Sequence, residues 1–287
     1  MNSMDAICNL SAALCQQLSR LTDSSTGRAV ISALLSRQPI LIECRSDEAP
    51  DLLLGLIASA IKGSAVHEFE PVCGASKKPL PPRSIFFVRN LNRLPLKIMC
   101  EAMQLIAEPG EMPLVTIATY NRDERYLPLT EAACDRFGIS TVLRTVLSPA
   151  TTRKTTRLVS PSALVAHQAA VGAIDLPEQL KHYLVSLIRA TRPEGGEHSF
   201  VRSRESKLRG LIQTGASIRS IHSLAATARA MAAMNGRNEV SVEDIQASFV
   251  PVLEHRIILT DWACQRRVSV ADALSMLVEH TPVDGIH

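Results

Sequence analysis

Aromatic side chains are scarce in this chain. Six Phe, three Tyr and one Trp make up 3% of 287 residues, and the net charge is only +3. A nucleic-acid surface wants stacking rings beside clustered basic residues. Here Lys and Arg are interspersed with acids, and the short basic runs Arg153–Arg157 and Arg202–Arg209 fall in polar connections that read as solvated loop. Cysteine pairing is missing too. Cys8, Cys15, Cys44, Cys73, Cys100, Cys134 and Cys264 include no CxxC and are odd in number, which points to a reduced, cytoplasmic setting. With no HExxH and no close Cys/His set, no metal site is implied. Long apolar runs are absent: Asp5, Asn9, Gln16 and Gln17 interrupt Met1–Leu21, against a signal peptide or a membrane span.

What is present is periodicity. Met4, Ile7, Leu10, Leu14, Leu18 and Leu21 recur at helical spacing, and Gly27–Arg37 continues as a second helix before an apolar strand at Ile40–Ile42. Further segments alternate: helix Leu52–Ile61, a strand around Val66–Phe69, strand Ile85–Val88, helix Leu96–Ala107, strand Val115–Ala118, a short helix at Glu131–Arg136 and strand Ser140–Leu143. Such alternation predicts a parallel sheet covered on both faces, an α/β domain over residues 1–150. Ser148–Pro161 is polar with prolines at both ends and reads as a linker. Residues 151–287 are expected to form an all-helical lid, with helix starts at Ser160-Pro161, Asp175–Glu178, Ser217 as a cap, and capping boxes at Ser241/Asp244 and Ser269/Asp272. Ala225–Ala233 makes one lid helix thin-sided. Close packing and plain helix propensity explain that equally well.

The turn after the first strand has a second telling absence. Cys44, Arg45, Ser46, Asp47, Glu48, Ala49, Pro50 and Asp51 contain no glycine. A loop that cradles phosphate needs glycines to bring successive N–H groups inward, a Lys, and a Ser or Thr for magnesium. Three carboxylates, Asp47, Glu48 and Asp51, instead gather at a helix start that Ser46 or Asp47 can cap and Pro50 suits.

Five strings bear on why such a loop matters. They are SIFFVRNLNRLPLKIMCEAMQLIAE from Ser84, PLVTIATYN to Asn121, YLPLTEAACDRF to Phe137, GASIRS from Gly215 and VSVEDIQASFVPVLEHRI from Val240. In this order they resemble the MoxR branch of the AAA+ ATPases, from about Gly27 nearly to the C-terminus. The resemblance implies a three-layer AAA+ domain followed by a helical lid. It also makes the turn a degenerate phosphate loop, in which Pro50 replaces the Lys and Asp51 the magnesium hydroxyl. Arg89 and Asn90 replace the acidic pair that binds magnesium and polarises water. Asn121 matches the polar sensor position, Arg136 the arginine finger and Arg219 the lid's sensor arginine, the last two of which act on a neighbour's nucleotide. Each has a plainer reading: Arg136 pairs with Asp135 or a surface carboxylate, Arg219 simply opens a helix, and Asn121 ends a strand.

Two further departures concern length. Between the first sheet helix and Ser84 there is room for one strand and a Pro/Lys-rich loop, and only PGEM lies between Glu108 and Pro113. The family's client-facing insertions are thus reduced. The expectation is a pseudo-ATPase with no cofactor of its own, a structural or regulatory partner of an active MoxR-type paralogue in a chaperone-like hetero-oligomer. Its relatives also suggest a von Willebrand A-domain partner. Two alternatives stand beside it: a free-standing interaction scaffold, and an ATPase in which Arg45, Lys62, Lys77 or Lys78 reaches ATP and magnesium in an unorthodox site.

Overall fold

In a computed structural model of the chain, the described residues are 3–45, 49–70, 80–122, 128–144, 158–193 and 210–283. Ser46, Asp47, Glu48, Lys77, Lys78, the linker interior and residues 194–209 lie outside them.

Helices α1 (Ser3–Leu18) and α2 (Ser24–Ser36) lead into β1 (Ile40–Glu43), followed by α3 (Ala49–Ala60), β2 (Val66–Glu68), β3 (Ile85–Val88), α4 (Leu96–Ala107), β4 (Val115–Tyr120), α5 (Glu131–Cys134) and β5 (Ile139–Val142). The five strands form one sheet in the order β2-β3-β4-β1-β5, every pairing parallel. Side chains alternate across a strand, so each strand feeds two cores. Ile40, Ile42, Ile85, Phe87, Ile117 and Ile139 face one core, and Leu41, Phe86, Val88 and Ala118 face the other. The second core is closed by Ala102, Met103 and Ile106 of α4 with Ala133 and Phe137. Each fully buried Leu, Ile or Phe contributes roughly 1.5–3 kcal/mol.

The lid comprises α6 (Pro161–Gly172), α7 (Glu178–Ala190), β6 (Ile212–Thr214), α8 (Arg219–Met234), α9 (Val242–Leu253), β7 (Ile258–Leu259), α10 (Asp261–Gln265) and α11 (Val270–His280), with a 3-10 turn at Glu254–Arg256 after α9. Its core is continuous with the first core of the sheet, running from Ile7 and Leu35 through Leu184 and Phe249 to Leu274. Ala228, Ala230, Ala232 and Ala233 are all fully buried where α8 lies against α9 and α2. The thin side is therefore used for close packing. Buried Gln168 ties α6 to the rest, its Nε2 donating to Leu34 C=O at 2.7 Å and Leu114 C=O at 2.8 Å.

Two expectations are corrected. The lid is not all helical: Ile212–Thr214 and Ile258–Leu259 pair as antiparallel strands. These segments are too short for period-2 patterning to announce them. Nor does Ser217 cap α8. The residue before the helix is Ile218, in αR conformation with no side-chain cap, and the Ser217 hydroxyl is spent on Asp135. Three lid caps form as expected: Ser160 accepts from Ala163 N–H, and Ser241/Asp244 and Ser269/Asp272 make reciprocal capping boxes, while the Ser46 or Asp47 cap lies outside the described residues. Helix α2 starts before Gly27, because Asp23 Oδ1 accepts from Thr26 N–H at 2.8 Å.

Candidate functional site

The carboxyl ends of β1, β3 and β4 open toward the start of α3, where ligands bind in open parallel sheets. Arg89 follows β3 with the same parity as Phe87 and so projects to the face that α3 covers. Its Nη2 donates to Asp51 Oδ1 at 2.5 Å and its Nε to Glu68 Oε1 at 2.8 Å, with the guanidinium 5.2 Å above the Phe87 ring centre. The hydrogen bonds Arg89 donates to Glu68 and then to Asp51 push its pKa above the ordinary value. Asp51 is thus paired within the chain. Its charge is offset by that of Arg89.

Neighbouring positions are bound internally as well. Asn90 has a positive φ of 47°, which Asn tolerates, and its N–H donates to Thr119 Oγ1 at 2.9 Å. Asn121 is read by Asn92, whose Oδ1 accepts from Asn121 N–H at 3.1 Å and whose Nδ2 donates to Asn121 C=O at 2.6 Å. Glu43, at 6% exposure, accepts from Arg122 Nε at 3.0 Å and from Tyr120 Oη at 3.2 Å. Cys44 is buried and its N–H continues the ladder to Tyr120 C=O, while Ala49 and Pro50 form the buried first turn of α3. Arg45 is exposed. Lys62 follows the far end of the 12-residue α3, about 18 Å along the axis from its start. Among the described residues no group of three His, Cys, Asp or Glu side chains is arranged to hold a metal ion.

A second constellation lies where the lid meets the turn after α5. Asp135 Oδ1 accepts from Ser217 Oγ at 2.6 Å and from Arg256 Nη1 at 2.9 Å, and its Oδ2 accepts from Arg219 Nη1 at 3.1 Å. Arg256 is the buried member, its side chain 3% exposed. It also donates to Ser220 Oγ at 2.9 Å, Ser223 Oγ at 3.2 Å and Phe137 C=O at 2.5 Å. Burial pulls its pKa down from the ordinary arginine value, and Asp135 opposes that fall. Beside it the His255 Nε2 lies 3.0 Å from Phe137 C=O, and its Nδ1 is buried with no hydrogen-bond partner among the described residues. Burial, reinforced by Arg256, drives the imidazole down to about 3. Cys134 is pushed the other way, up to about 11, mainly by burial, so its thiol is a poor nucleophile at neutral pH.

Arg136 and Arg219 therefore share one corner. Arg136 does not pair with Asp135: its Nη1 donates to Met103 C=O of α4 at 3.2 Å. Arg219 is paired to Asp135 with its own side chain 72% exposed. The corner is set by Gly215. A Cβ there would lie 2.5 Å from Thr191 C=O, while Thr191 Oγ1 accepts from Ala216 N–H at 3.0 Å. Sequence reasoning quoted the string containing Arg256 and gave it no role. An arginine directly before the apolar run Ile257–Leu259 was the available signal.

The lid is also recognisable by sequence: the profile of the AAA lid domain matches residues 205–274. The chain has the AAA+ fold. Over 98% of its length it superposes on 97% of a Cytophaga hutchinsonii protein, solved as a candidate ATPase, with TM-score 0.79 and 20% identity. A full-length MCM homologue from Methanopyrus kandleri matches over 97% of this chain and 61% of its own, with TM-score 0.55 and 13% identity. No curated protein sequence matches the chain. The matched residues run from before β6 through α8, α9, β7 and α10 into α11. No helix among the described residues is long and apolar enough to cross a membrane.

Proposed function

We propose that this AAA+ chain is a catalytically inactive, MoxR-type subunit that serves as a structural or regulatory partner of an active AAA+ ATPase in a chaperone-like complex. The observation that carries the reading is the Arg89 bridge. A guanidinium held between Asp51 and Glu68 stands where a nucleotide site needs a carboxylate facing a divalent cation. These residues do not fit a magnesium nucleotide: the tethered cation uses the oxygen ligands, Pro50 supplies no ammonium, and no glycine opens the backbone. An arginine replacement cannot be relieved by losing a proton, since the group stays charged at any physiological pH.

The lending role follows from the other corner. Arg136, next to Asp135 in the chain, and Arg219, ion-paired to it, are both exposed, which suits contact with a nucleotide bound by an adjoining subunit. The domains of the reading are an α/β unit over residues 1–150 and a lid over 151–287, in a cytoplasmic hetero-oligomer that takes no ATP or magnesium itself. A von Willebrand A-domain protein is a further partner class to examine. Lys62 is too remote to serve an unorthodox site, which weakens that alternative.

The experiment has two parts. A fluorescent ATP analogue with magnesium is titrated into the isolated chain, and binding there removes the inactive-site reading. Affinity purification from the source cell then identifies the partner, with an AAA+ ATPase expected. Turnover of that ATPase is compared with the chain and with its Arg136→Ala variant; equal rates in both mixtures eliminate the finger role.

A further inference from the structure

The two oxygens of Asp135 keep different company. Oδ1 is fixed by buried Arg256 and by Ser217, whereas the contact described at Oδ2 is with the largely exposed Arg219. We infer that Asp135 is a parking site for Arg219, holding the guanidinium in a weak internal ion pair until a polyphosphate anion presented by a neighbouring subunit takes it over. The inference rests on the reading that Arg219 serves a neighbour, and it adds how that arginine is controlled.

Physical reasons favour exchange over a permanent clamp. Joining lid and α/β unit at this point is already the work of Arg256, with donors to Asp135, Phe137, Ser220 and Ser223. When Arg219 leaves, Asp135 retains its buried counter-ion, so no uncompensated carboxylate is stranded. The departing contact is an exposed ion pair, of the kind that contributes least to stability. Its backbone does not have to move. Gly215, packed against the Thr191 carbonyl, and Ser217, bonded to Asp135, fix the loop while the long side chain swings. A phosphate chain presents more charge and more acceptor oxygens than one carboxylate edge, and matches the guanidinium fork.

The test uses inorganic tripolyphosphate as the probe and the full chain alone at low ionic strength. Asp135→Asn keeps an oxygen for Arg256 and Ser217 but drops the charge that holds Arg219. We expect it to bind tripolyphosphate about three- to fivefold more tightly, the factor set by a weak exposed pair. In the Arg219→Gln background the same change should alter affinity less than twofold. An equal factor in both backgrounds means that Asp135 merely repels anions, and overturns the parking contact. Should Asp135→Asn fail to fold, the side-chain Nε–Hε resonance of Arg219 in the unaltered chain, assigned from its loss in Arg219→Gln, is followed instead. A shift confined to Arg219 supports release, and no shift or a shared shift with Arg256 refutes it. Neither measurement needs a partner. Coupling without any co-purifying ATPase would cost the neighbour reading alone, and a partner without coupling would remove parking alone.

Discussion

Nη1 of Arg256 lies 2.9 Å from Oδ1 of Asp135, joining two parts of the chain 121 residues apart. The arginine side chain is 3% exposed and the aspartate 18%, so the pair is largely withdrawn from solvent. Breaking such a pair from one side leaves a buried charge. Arg256→Met is expected to lower stability by about 3–5 kcal/mol, read by urea denaturation. Arg219→Gln, which removes an exposed member of the same cluster, should cost under about 1 kcal/mol after allowance for solvent screening.

The Arg89 bridge yields a second prediction. Arg89 is 31% exposed and its partners 57% and 40%, so Arg89→Ala should change stability by no more than about 1 kcal/mol. Arg89→Asp restores one acidic group and nothing else of a nucleotide site. Equilibrium binding of magnesium-ATP to that variant should remain undetectable. Binding would mean that Arg89 alone blocks an otherwise competent site.

Gly215→Ala places a methyl group 2.5 Å from Thr191 C=O and 2.8 Å from its carbon, both backbone atoms that cannot swing away. Overpacking of this kind costs about 1–3 kcal/mol. Thermal unfolding should show the loss, whereas Gly55→Ala, with nothing within 4 Å of the added carbon, should gain or hold stability.

His255 supplies a pH dependence. Its folded-state value, about 3, lies below the ordinary 6.5, so the unfolded chain takes up the proton first as pH falls. The stability it contributes is full above pH 6.5 and is lost progressively from there toward pH 3. The slope is about 1.4 kcal/mol per pH unit at most. Denaturation midpoints measured from pH 7 to 4.5 should fall less steeply in His255→Gln than in the unaltered chain.

Asn92→Ala removes both hydrogen bonds that fix the backbone of Asn121. A loss of about 1–3 kcal/mol is expected. Amide exchange at Asn121 should quicken along with it.

Much of the architecture could be read before the structure. Ile40–Ile42, Ile85–Val88 and Val115–Ala118 are runs of apolar residues bounded by turns, and the capping pairs Ser241/Asp244 and Ser269/Asp272 are three residues apart, so both signals are local. The bridge from Arg89 to Asp51 spans 38 residues and the bond from Arg256 to Asp135 spans 121. No periodicity encodes such partners. Sequence identified Arg89 as a replacement but not as the neutraliser of Asp51, and it offered Ser217 as a cap because the helix start was visible and Asp135 was not. The strands Ile212–Thr214 and Ile258–Leu259 escaped for a related reason: each is defined by the other, across the lid.

The guanidinium of Arg89 is bonded to the chain it serves. A metal ion or a nucleotide arrives, is consumed or departs, and the protein around it changes shape with each event. Arg89 does none of these things, and the charge it brings to the corner between β3 and α3 is part of the chain itself. Whatever binds or leaves elsewhere, that positive charge stays where the fold has put it, between Asp51 and Glu68.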